Sequence, residues 1–69
     1  MRKVIFTLKE KLNEINKSAY WLAKETGITA KSLGKMINNE THSVKFENLE
    51  KICDVLGCEL DEIIKLEDK

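Results

Sequence analysis

The stretch Ser18-Ala19-Tyr20-Trp21-Leu22-Ala23-Lys24-Glu25-Thr26-Gly27-Ile28-Thr29-Ala30-Lys31-Ser32-Leu33-Gly34-Lys35 decides how this chain folds. Ser18 is a helix N-cap residue type. After it, Ala19, Leu22, Ala23 and Thr26 gather on one side of a helix, while Tyr20, Trp21, Lys24 and Glu25 spread over the other. Gly27 supplies the left-handed backbone that ends such a helix cheaply, and Ile28 is expected to drop into the core behind the turn. Thr29 then caps a second helix. On a helical wheel Leu33, Met36 and Ile37 fall within one arc of it, and Ala30, Lys31, Gly34, Lys35 and Asn38 occupy the opposite arc. One face is core; the other is free to meet a partner.

On the N-terminal side, Thr7-Leu8-Lys9-Glu10 has the spacing of a capping box, and Leu8, Leu12 and Ile15 follow at helical intervals, so a first helix is expected over about residues 8–15. Arg2 to Phe6 contains Val4, Ile5 and Phe6, which favour extended backbone, and reads as a short strand or an arm. On the C-terminal side, residues 38–43 form a polar loop with asparagine as its left-handed residue. A fourth helix then carries Phe46, Leu49, Ile52, Cys53 and Leu56 and stops at Gly57. A last short helix would hold Leu60, Ile63 and Ile64, with residues 67–69 frayed beyond it.

The 69 residues suit one small domain, 42% apolar and 35% charged with no proline. That length leaves no room for an enzyme cleft in addition to a scaffold. The longest early apolar run, Val4-Ile5-Phe6, is too short for a signal-peptide core or a membrane span, so a cytoplasmic protein is expected. Cys53 and Cys58 have neither CxxC nor four-ligand spacing and read as buried or half-buried thiols. With His42, the only histidine, they make at most three soft ligands, so no metal site or cofactor is expected. No serine or cysteine has a base and an orienting carboxylate in view for nucleophilic catalysis.

Formal net charge is zero, which taken alone argues against a nucleic-acid partner. Its distribution argues the other way. Residues 1–35 hold eight basic residues against three acidic ones, for +5, and residues 36–69 hold four against nine, for −5. Such polarity can give one face that meets phosphate and another that turns away from it.

With Leu22-Ala23, Gly27-Ile28-Thr29, Leu33, the Asn38 loop, Leu49-Glu50-Lys51-Ile52-Cys53, Leu56-Gly57-Cys58 and Ile63-Ile64, the chain resembles the Cro and lambda-repressor superfamily of Xre-type helix-turn-helix proteins. The match spans nearly the whole chain, with its core over residues 7–66. It implies an all-α, compact five-helix domain whose second and third helices form a DNA-reading unit. It also implies that Ala30, Lys31, Ser32, Gly34 and Lys35 face the bases from the third helix, at about residues 29–38. The helix N-terminus, with its partial positive charge, suits phosphate as well.

Where members often have glutamine at the start of the second helix this chain has Ala19, and Ile37 and Asn39 replace a common glutamate and glycine. Phosphate contacts are therefore expected from Ser18, Thr29, Asn38, Thr41, His42 and Lys45. Trp21 falls on the polar side of its helix. It either lies over the first helix or the N-terminal segment, or belongs to a partner interface.

The expected function is a sequence-specific double-stranded DNA-binding transcriptional regulator. It would act as a homodimer on a two-fold related site, with no membrane or small-molecule partner. The alternative is a protein-binding module of the same fold, of antitoxin or antirepressor type.

Overall fold

The computed structural model describes residues 1–68. In chain order the elements are strand β1 (Arg2–Phe6), helices α1 (Leu8–Glu14), α2 (Ala19–Thr26), α3 (Ala30–Ile37) and α4 (Phe46–Leu56), a 3-10 turn at Leu60–Glu62, and strand β2 (Ile64–Asp68). The fold is mostly helical, but it has four α-helices rather than five. It is not all-α, because β1 and β2 form a two-stranded antiparallel sheet.

The expected fifth helix is the main correction. Leu60 lies in the 3-10 turn, Ile63 leaves it, and Ile64 starts a strand that runs through Glu67 and Asp68, where fraying was expected. Lys69 lies outside the described residues. Leu60, Ile63 and Ile64 do have a helical spacing, but Ile64-Lys65-Leu66-Glu67 alternates with period two, and β-branched Ile63 and Ile64 favour extended backbone. What selects the strand is pairing with β1, from Phe6 opposite Ile64 to Arg2 opposite Asp68. The N-terminal segment is accordingly a strand rather than an arm.

Thr7 does not cap α1 through its side chain, so the Thr7–Glu10 box does not form. The Thr7 hydroxyl instead donates to the Glu62 carbonyl at 3.1 Å, and its N–H donates to the Ile63 carbonyl at 2.8 Å. These bonds extend the sheet contact by one residue. The capping box that does form is at the 3-10 turn, between Glu59 and Glu62.

The core joins every layer: Phe6 from β1, Leu8 and Leu12 from α1, Leu22 from α2, Ile28 from the turn, Leu33 and Met36 from α3, Leu49 and Ile52 from α4, and Ile63. Leu8, Leu22, Leu33, Ile52 and Ile63 are fully buried. Each contributes about 1.5–3 kcal/mol by leaving water, against about 1 kcal/mol for a typical cap and less for a surface ion pair. Phe46 departs from the expected α4 stripe and is 79% exposed at the first position of the helix.

Candidate nucleic-acid interface

The α2–turn–α3 unit is built as its residues suggest. The Ser18 hydroxyl accepts from the Trp21 N–H at 3.0 Å, and the Thr29 hydroxyl accepts from the Ser32 N–H at 3.1 Å. Gly27 is left-handed at φ 77°, and its N–H closes on the Ala23 carbonyl. Thr26 adds a latch within the turn. Its buried hydroxyl donates to the Leu22 carbonyl at 2.7 Å and accepts from the Ile28 N–H at 3.2 Å. With Ile28 buried beneath it, the turn is fixed by an apolar anchor and a satisfied polar one.

Helix α3 divides as the wheel predicts. Leu33 and Met36 are buried, Ile37 and Gly34 are half-buried, and Ala30, Lys31, Ser32, Lys35 and Asn38 are exposed. The Ser32 hydroxyl accepts a bond from Thr29 at 3.0 Å, which orders the first turn. Because Thr29 takes the Ser32 amide, the first-turn N–H groups left to an anion are those of Ala30 and Lys31. Among the described residues no carboxylate lies within ion-pair distance of Lys31, Lys35 or Lys45, so their charges are not neutralised internally.

The tertiary structure brings part of the expected contact set together. Ser32 and Lys35 from α3, Thr41 and Ser43 from the loop, and Lys45 and Asn48 at the start of α4 line one open groove of about 400 Å³. The Thr41 hydroxyl donates to the Ser43 carbonyl at 3.0 Å and holds the loop in place. His42 faces elsewhere, along a recess shared with Lys3, Val4 and Phe46. Asn38 ends α3. Ser18 and Thr29 keep their N-cap positions, each with its oxygen already accepting a backbone bond.

Asn48 is a groove residue outside the expected contact set, and Asn39 does more than the left-handed role expected of the loop's asparagine. Asn48 has no signal in the sequence, since it sits in the polar stripe of α4. Asn39 is the left-handed residue of the loop at φ 58°, and it also bonds to β1. With the Asn39 N–H on the Met36 carbonyl and the Glu40 N–H on the Lys35 carbonyl, it completes a Schellman ending of α3. Trp21 is half-buried against the core, and the Lys17 ammonium stands 5.1 Å from its ring centroid.

Among the described residues, no three His, Cys, Asp or Glu side chains are grouped to hold a metal, and no helix is long and apolar enough to cross a membrane. Cys53 and Cys58 are half-buried free thiols. Burial raises both above the usual cysteine range.

Comparison with known proteins places this geometry. The model of the Cro/C1-type HTH DNA-binding domain family matches residues 7–69. A solved structure of a protein from Bacteroides fragilis, assigned as DNA-binding, is similar with a TM-score of 0.80 at 19% identity, over 91% of this chain and 100% of that one. The transcriptional regulator VanUg is similar with a TM-score of 0.82 at 23% identity, over 99% of this chain and 89% of that one. At these identities the likeness is one of fold. No curated protein matches.

Proposed function

The chain belongs to the Cro/C1-type helix-turn-helix DNA-binding domain family, and on that premise we propose that it is a sequence-specific regulator of transcription that reads double-stranded DNA with α3. The observation that carries this reading is the exposed arc of α3, whose unpaired Lys31 and Lys35 stand one turn apart beside a groove lined by Thr41, Lys45 and Asn48. Lysine at such positions can donate to guanine O6 and N7 or to phosphate. Ala30 and Gly34 let the helix approach closely, and Ser32 adds a hydroxyl. Ser18, Thr29, Asn38, Thr41 and Lys45 are assigned to the phosphate backbone, which sets register without reading sequence, and His42 to a phosphate flanking the groove, from its recess beside Lys3.

All 69 residues act as one DNA-binding domain in this reading, with no catalytic step and no cofactor. A cytoplasmic location accords with it. A single module covers only about 600–1,000 Å² of surface, so useful affinity calls for a homodimer on a two-fold related site.

Titration with mixed-sequence double-stranded DNA at several salt concentrations tests the proposal. Several phosphate contacts give a log–log slope of several units, and selection from a random DNA pool should return a preferred sequence. A flat salt response together with no selected sequence would overturn the DNA reading and favour docking to another protein.

A further inference from the structure

We propose that Cys53 and Cys58 form a dithiol site that closes to an intramolecular disulfide by exchange with low-molecular-weight disulfides. The proposal goes beyond the DNA reading and does not rest on it. The way α4 ends brings the two residues together. Gly57 takes the left-handed conformation at φ 62°, and the Cys53 carbonyl accepts from both the Gly57 N–H and the Cys58 N–H, the latter at 3.1 Å. That is a Schellman ending, in which the side chain after the glycine folds back against the one five positions earlier. Such a contact is commonly hydrophobic. Here both of its members are thiols.

The two sulfurs differ in role. Burial raises both thiols above the usual cysteine range, but the hydrogen bond from Cys58 to Cys53 works against that rise at Cys53 and adds to it at Cys58. Cys53 is therefore the sulfur that ionises first and attacks, and Cys58 is the one that resolves. Both can be reached, since they are half-buried and line one open recess of about 510 Å³, ample for a small disulfide. Among the described residues no third His, Cys, Asp or Glu joins them to hold a metal, so the chemistry is that of two sulfurs.

Exchange balances without any further reactant. The Cys53 thiolate attacks one sulfur of the small disulfide, forming a mixed disulfide and releasing one small thiolate. The Cys58 thiolate then attacks the Cys53 sulfur, forming the Cys53–Cys58 bond and releasing the second. The two protons lost by the cysteines pass to the released thiolates. The protein dithiol is oxidised by two electrons, and the small disulfide is reduced to two thiols.

The folded chain already holds the sulfurs side by side, so closing the ring over residues 53–58 orders little more of it, whereas the unfolded chain must find that geometry among many others. Native structure therefore draws the exchange towards the disulfide. By the same linkage the disulfide holds the last turn of α4 to the segment that leads into the 3-10 turn.

Equilibrating the full chain in glutathione redox buffers, followed by acid quenching and mass spectrometry, tests the site without DNA. The wild type should lose two hydrogens and keep no glutathione. Its equilibrium should favour the disulfide at least about tenfold more in buffer than in concentrated guanidinium chloride. Cys53→Ser and Cys58→Ser should each leave one sulfur that ends as a glutathione mixed disulfide. An equilibrium equal in buffer and denaturant, a disulfide that joins two chains, or a wild type that stops at the glutathione adduct overturns the proposal.

Discussion

The side-chain amide of Asn39 bonds to both backbone groups of Phe6, accepting from its N–H at 2.6 Å and donating to its carbonyl at 3.2 Å. This amide acts as a short piece of strand on the edge of β1, and it fixes the end of α3 to the sheet. The same residue supplies the left-handed backbone that ends α3, so one side chain sets both where that helix stops and how it sits on the rest of the domain.

Asn39→Gly keeps the left-handed backbone and removes both bonds. It should cost about 1–3 kcal/mol of stability, since the half-buried Phe6 groups lose their partners. Asn39→Ala should cost about 1 kcal/mol more, because alanine resists φ near 58°. Urea denaturation measures both, and an Asn39→Gly protein as stable as the wild type would show that water replaces the clamp.

Gly34 separates stability from function. A Cβ built there meets nothing within 4 Å. Gly34→Ala should therefore stabilise the domain by about 1 kcal/mol through helix propensity, while weakening DNA binding by filling the space where the helix backbone approaches the duplex. Thermal melting and DNA titration of the same sample read the two effects. Unchanged affinity would make Gly34 an ordinary surface glycine.

Lys31→Ala and Lys35→Ala should each weaken DNA binding with little change in melting temperature. A lysine that contacts phosphate should also lower the log–log salt slope by about one. Leu33→Ala, on the opposite face of the same helix, should cost about 2–5 kcal/mol of stability. If either lysine substitution unfolds the domain, the division of α3 into a core face and a reading face is wrong.

Glu62 links acid stability to the junction between α1 and the sheet. The Glu59 backbone N–H, and then the Lys11 ammonium at 3.1 Å, hold its carboxyl below the ordinary value of 4.5. A lowered folded-state pKa gives stability that is present above the unfolded value and lost as pH falls through the folded one. Glu62→Gln should thus flatten the acid limb of a stability–pH curve below about 4.5 and also remove the chief cause that raises the Lys11 pKa. The Lys11 pKa is raised, chiefly by its bond to Glu62, so its contribution holds below 10.5 and fades as pH rises through the folded value. Chemical denaturation across the acid range checks this, and parallel wild-type and Glu62→Gln curves would refute it.

Legibility in the sequence followed the range of the interaction. Ser18, Gly27 and Thr29 act on groups within four residues of themselves, and the structure uses each as its residue type suggests. Thr7 failed as a cap because its hydroxyl and N–H are taken by Glu62 and Ile63, from the far end of the chain. Leu60, Ile63 and Ile64 fit two periods, and only β1 chooses between them. For the contact set, Ser32 and Lys35 could be read from α3 alone. Their meeting with Thr41, Lys45 and Asn48 depends on the loop held by Asn39.

The sequence by itself therefore determined the four α-helices, the glycine-hinged turn and the buried face of α3, because periodicity, caps and left-handed glycines act locally and need no partner. Only the tertiary structure decided that residues 64–68 are a strand, that Asn39 ties α3 to β1, and that the loop and α4 share a groove with α3. Each of these rests on backbone or side-chain groups brought together from distant parts of the chain, and local spacing carries no record of which distant group will satisfy them.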